Sequence, residues 1–138
     1  MYDTVRIRVP GKVEYMQTVR IAMQSLASNA GFDLDKCDDI CVSTVEACKI
    51  VCCHEHKSFS NYYDITAEIV DGGEIENAGI RITIVDSHEH ELEKLHKPCF
   101  LCPGDGDLAL DVMRALMDRV EFGSDNEGNR RIVLEKRK

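Results

Sequence analysis

The stretch from Asp38 to His56 reads DDICVSTVEACKIVCCHEH, and its apolar spacing decides the fold. Ile40, Cys41, Thr44, Val45, Cys48, Val51 and Cys52 recur at steps of three and four, the period of a helix with one buried stripe. Glu46, Ile50, Cys53 and His54 fall on an adjacent stripe, with Lys49 beside it. An acid, a branched hydrocarbon, a thiol and an imidazole side by side make an unusual helix surface. One wall of any site is expected here.

Outward from this helix, the flanking segments supply its layers. Thr4 to Val9, TVRIRV, alternates Val5, Ile7 and Val9 with Arg6 and Arg8, a half-buried strand ended by Pro10-Gly11. From about Lys12 to Asn29 a stripe of Met16, Val19, Met23, Leu26, Ala27 and Ala30 predicts a helix, with Gly31 as its C-terminal cap. Asp33 is placed to cap the central helix, whose first turns are acidic as the helix dipole prefers.

On the other side, Tyr63, Ile65, Ala67 and Ile69 alternate, then Asp71-Gly72-Gly73 signals a turn, then Ile80, Ile82 and Ile84 alternate again. That is a hairpin from Tyr63 to Asp86. Ser87 to Asp107 has no clear period, and a loop of this length in a compact domain is usually functional or mobile. A helix follows from about Leu108 to Asp118, with Val112, Met113, Leu116 and Met117 as its apolar face. Arg119 to Phe122 and Arg130 to Leu134 predict a last hairpin. The order β-α-α-β-β-loop-α-β-β implies an α+β fold: a mostly antiparallel sheet with helices on one face.

Totals narrow the function. At 138 residues, 43% apolar and 30% charged, the chain is expected to fold as one domain spanning 1–138 with a sizeable core. A net charge of -8 argues against nucleic acid as the main partner, since phosphate binding needs clustered Lys and Arg. No apolar run approaches the length needed to cross a bilayer. Seven cysteines, five of them between Cys37 and Cys53, are read as reduced core residues of a cytoplasmic protein.

Three separated phrases carry a family resemblance. Val9, Pro10, Lys12, Glu14 and Tyr15 open the chain, Asp39 to Cys48 supplies the central phrase, and Ala115 to Glu121 closes it. With these, the chain resembles the bacterial anti-sigma-factor serine kinases, which share an ATP-binding fold with histidine kinases, gyrase and the Hsp90 chaperone. The resemblance implies ATP and Mg²⁺ as cofactors, a sigma factor or anti-anti-sigma protein as partner, and a homodimer through the first strand and helix.

It also implies three nucleotide-binding boxes, and all three are altered. In the first, Glu46 matches the general base, but Ile50 stands where an Asn should hold Mg²⁺, and Ile has no lone pair to offer a hard cation. His54 matches the next family histidine. In the second, Asp86 matches the adenine-binding Asp, but His88 and His90 replace two glycines that let backbone approach the nucleotide. In the third, a G-x-G pair should open a helix and cradle phosphate; counting back from Leu116 gives Asp107 and Ala109, with Gly104 and Gly106 just upstream.

The first reading is therefore a regulatory binding protein whose ATP use is weakened or lost, with Glu46 as a leftover acid pairing with Lys49 or a neighbouring strand. A second is an active ATP-dependent serine kinase, with Glu46 catalytic and Gly104 and Gly106 as relocated phosphate contacts. A third is a metal-binding derivative. His54 with His88 and His90, which point the same way in an extended segment, would offer imidazoles to Zn²⁺, and Cys99 and Cys102 could add thiolates.

Overall fold

Alternation builds the sheet. The structure, a computed structural model, describes residues 2–51, 62–70, 78–86, 106–127 and 129–138. Strands β1 (Tyr2–Pro10), β2 (Tyr62–Val70), β3 (Gly79–Asp86), β4 (Arg119–Ser124) and β5 (Arg130–Arg137) form one antiparallel sheet in the order β1-β2-β3-β5-β4. The expected hairpin of β2 and β3 is present, with Ile65 opposite Ile84 and Ala67 opposite Ile82. Along β2 every second residue, from Tyr63 to Ile69, is buried. β1 lies at an edge, and only Val9 of its three inward residues is fully covered; Val5 and Ile7 are half-buried.

The α-helices of the described residues lie on one face: α1 (Met16–Asn29), α2 (Leu34–Val51) and α3 (Gly106–Leu116). α2 sits in the middle, against α1 and α3 on either side and against β3 and β5 beneath. Its buried arc is therefore wider than one stripe. Ile40, Cys41, Thr44 and Cys48 are buried as expected, but so are Ser43, Ala47 and Ile50, while Val45 is only half-buried. Met23, Ile82, Ile84, Met113 and Leu134 meet this helix layer from the other elements in one core.

The ends of the first two helices follow from local chemistry. α1 starts later than its apolar stripe suggests, because Val13–Tyr15 forms a single 3-10 turn first. It ends as expected at Gly31, whose φ of 89° lies in the left-handed region that glycine enters without steric cost. There Phe32 N–H reaches Ala27 C=O at 3.2 Å and Gly31 N–H reaches Ser28 C=O at 3.0 Å, the paired bonds of a Schellman cap. Two residues on, the Asp33 carboxylate accepts from Lys36 N–H at 2.9 Å and caps α2.

One glycine not singled out by turn chemistry is needed for space. A Cβ on Gly79 would lie 2.6 Å from the Lys136 carbonyl oxygen of β5, so β3 can begin beside β5 only without a side chain there.

Because Ile82 is fully buried in a central strand, Ile82→Ala is expected to cost about 2–5 kcal/mol through lost transfer energy and an unfilled cavity. Urea unfolding measures it; a loss below about 1 kcal/mol would mean that strand is not packed as described.

Candidate functional site

The candidate site is the helix-side end of β3 and β5 together with α2 and the start of α3. Each predicted residue on the described elements has a definite place. Glu46 accepts from Lys49 Nζ at 2.9 Å, a pair three residues apart on one helix face, with side chains 21% and 27% exposed. Of the two partners expected from the sequence, Lys49 and a neighbouring strand, Glu46 takes Lys49. Ile50, one turn on, is 6% exposed and packed in the core. A buried hydrocarbon offers nothing to a cation.

Asp86 ends β3 on its inward side and is fully buried. Arg130, the first residue of β5, donates to its Oδ2 from Nε at 3.1 Å and also from Nη2. Arg130 is itself only 2% exposed. Burial pulls the guanidinium's proton affinity down, and the Asp86 carboxylate opposes that by hydrogen bond and charge. A carboxylate and a guanidinium taken together out of water are tolerable only as a pair.

Sequence reasoning missed Arg130. The signal is its parity: it shares the inward side of β5 with the buried Ile132 and Leu134, an odd position for an arginine. A second inward cation, Lys136, reaches Asp39 of α2 at 3.2 Å and the Leu116 carbonyl at the end of α3. That contact complements the negative end of the α3 dipole.

α3 begins at Gly106, two residues before the start its apolar face suggests. Asp107 and Ala109 thus lie within its first turn, and Ala109 is 3% exposed in the core. The first turn of α3 is the positive end of its dipole and so its anion-attracting end. His54, His88, His90 and Gly104, with Cys99 and Cys102, lie outside the described residues. The zinc reading rests on them. Among the described residues no three His, Cys, Asp or Glu side chains form a group suited to a metal.

The α2 thiols are structural. Cys37, Cys41 and Cys48 are buried in the core. Cys41 Sγ contacts Gln24 Oε1 at 3.5 Å, and burial is the main cause that pushes its pKa from the ordinary value near 9 up to about 11. Such a thiol stays protonated and unreactive at neutral pH.

A family model described as the histidine kinase-like ATPase domain matches residues 9–134. The chain belongs to that family. The serine-protein kinase RsbW of Bacillus licheniformis is 26% identical, over 90% of this chain and 80% of its own length. RsbW of Bacillus mycoides (strain KBAB4) is 25% identical, over 90% and 79%. The resemblance to anti-sigma-factor serine kinases is thus borne out over most of the chain. A crystal structure of the RsbU and RsbW domains of Rv1364c from Mycobacterium tuberculosis superposes with a TM-score of 0.64 at 15% identity. It covers 98% of this chain, which spans only 32% of that one, and it establishes the fold alone.

For the buried pair, Arg130→Ala or Asp86→Ala alone is expected to cost about 3–5 kcal/mol, since each strands a charge out of water. The double change Arg130→Met with Asp86→Leu should lie near wild type, or above it. Chemical denaturation of the four proteins compares them; single losses under about 1 kcal/mol would mean the two charges are in fact solvated.

Proposed function

We propose that this single-domain protein is an anti-sigma-factor-like regulator that acts by protein contact, with nucleotide binding and serine phosphorylation weakened or lost. The observation that carries this reading is Ile50: the position from which the family resemblance requires a Mg²⁺ ligand holds a buried side chain without a lone pair. Asp86 supports it. The carboxylate that the resemblance assigns to the adenine amino group is already engaged by Arg130. Glu46, the general base of the resemblance, is tied to Lys49. The residues described therefore do not fit Mg-ATP.

The partner proposed is a sigma factor or an anti-anti-sigma protein, and the compartment the cytoplasm. No described helix is long and apolar enough to cross a membrane. A homodimer through β1 and α1 is supported by the edge position of β1, whose outer backbone groups have no sheet neighbour among the described residues, and by Ile21 of α1, which is 61% exposed.

One observation favours the alternative of an active serine kinase. α3 opens at Gly106, as the shifted Gly104-x-Gly106 register requires for a phosphate cradle at a helix start. Calorimetric titration with Mg-ATP separates the two readings. We expect no binding tighter than about 1 mM, roughly 4 kcal/mol. Submillimolar binding with octahedral Mg²⁺ would overturn loss of nucleotide use. The dimer is tested by sedimentation: wild type should run as a dimer and Ile21→Arg as a monomer, whereas a wild-type monomer would remove that interface.

A further inference from the structure

The sheet face turned away from the helices has an unusual charge pattern. Three rows of side chains cross it, set by the strand register. The first runs Arg8, Asp64, Val85, Arg131, Gly123; the second Arg6, Thr66, Thr83, Val133, Glu121; the third Thr4, Glu68, Arg81, Glu135, Arg119. The middle row is short and mostly uncharged, and the rows beside it are long and charged. The result is a trough whose floor is Thr83 and Val133, open over about 360 Å³, with Arg81, Arg119 and Glu68 on one wall, Arg131 on the other, and Glu121 at the β4 end of the floor.

Its basic residues are all arginine. With Arg137 at the end of β5, six arginines and no lysine point outward from the five strands, although the chain has 17 basic residues of both kinds. Against them stand four carboxylates, Asp64, Glu68, Glu121 and Glu135. This face thus holds a surplus of two positive charges on a chain whose net charge is -8. A face built only to be solvated has no need to avoid lysine. Arginine enrichment with lysine depletion is the composition of a protein-binding surface, because the guanidinium is weakly hydrated and meets carboxylates as a planar fork.

The arginines are also held in place. Arg8 lies 3.9 Å over the Tyr62 ring and bonds Asp64 at 2.8 Å. Arg81 bonds Glu135 at 2.8 Å, and Arg119 bridges Glu135 and Glu121. Val133 faces outward yet is only 8% exposed. Arg6 and Arg131 have no ion-pair partner among the described residues, and beside Gly123 a Cβ would meet nothing within 4 Å, so the trough is open at the β4 edge.

We propose that this trough is a docking surface for an acidic segment of a protein partner, gripped by Arg119 and Arg131 across a floor of Thr83 and Val133. The inference rests on the reading that the protein acts by contact, but it uses the face opposite the former nucleotide site. Exposed ion pairs add little stability and give way readily to a better-placed carboxylate. Fixed arginines around a small-residue floor favour orientation and rapid encounter with an acidic chain.

The test is fluorescence anisotropy with a labelled poly-glutamate peptide and the intact chain. Wild type should bind, and binding should weaken steeply as salt rises to about 0.15 M. The double reversal Arg119→Glu with Arg131→Glu should weaken it at least tenfold, about 1.4 kcal/mol, with an unchanged melting temperature. The triple change Arg81→Lys, Arg119→Lys and Arg131→Lys keeps the charge and should still lose several-fold, because the forks are gone. No binding by wild type at low salt, equal binding by the reversal variant, or tighter arginine-dependent binding of single-stranded DNA would each overturn the proposal. Mg-ATP calorimetry reads the opposite face, so loss of nucleotide use and this docking surface can fail separately.

Discussion

The requirement that α2 be covered on three sides governs the rest of the structure. A helix carrying Ile40, Cys41, Ser43, Thr44, Ala47, Cys48 and Ile50 as buried residues cannot rest on a sheet with one shoulder in water. α1 closes one flank and α3 the other, and β3 and β5 supply the floor. Thr44 in that arc is accommodated locally: its Oγ1 donates to the Ile40 carbonyl at 2.7 Å, four residues back, as a buried hydroxyl on a helix can. Once α2 is fixed, Glu46 and Lys49 are fixed beside it, and Ile50 is drawn into the core where a metal ligand would have to face a cavity.

At the sheet end of the same layer the charges obey a different balance. Asp86 and Arg130 are both withdrawn from water, and their mutual attraction repays that desolvation only in good geometry. The pair therefore contributes little net stability against an apolar alternative, but separating it is costly. Engagement of Asp86 and burial of Ile50 are independent features, one on β3 and one on α2. In the proposed reading, one lies at the end that the family resemblance assigns to the base and the other at the end it assigns to the metal.

Much of this was legible in the sequence, for reasons that can be named. α2 declared itself through a long unbroken apolar period, the β2–β3 hairpin through strict alternation around Asp71-Gly72-Gly73, and the helix junction through Gly31 and Asp33. Each of those signals is local. The pairing of Asp86 with Arg130 was not legible, because the partners are 44 residues apart and β5 inserts between β3 and β4. Only the sheet order brings them together. The start of α3 was also hidden: its apolar spacing suggests a start at Leu108, while the backbone is already helical from Gly106. The trough on the outer face also depends on register, since its three rows draw on all five strands.

Register is what links the two faces. Val85 sits opposite Arg131, so the next pair inward is Asp86 with Arg130. Slipping β5 by one residue would turn Arg130, Ile132 and Leu134 to solvent and Arg131 into the core. A slip of two keeps the faces but leaves Asp86 beside an apolar neighbour, a buried charge without its partner, at a cost of about 3–5 kcal/mol. The correct register alone satisfies both strands. By the same alternation it sends Arg131, Val133 and Glu135 outward between Arg81 and Arg119. The ion pair that closes the inner face thus also sets the spacing of the arginines on the outer one, so a protein with this sheet can lose a ligand site on one side without loosening the surface on the other.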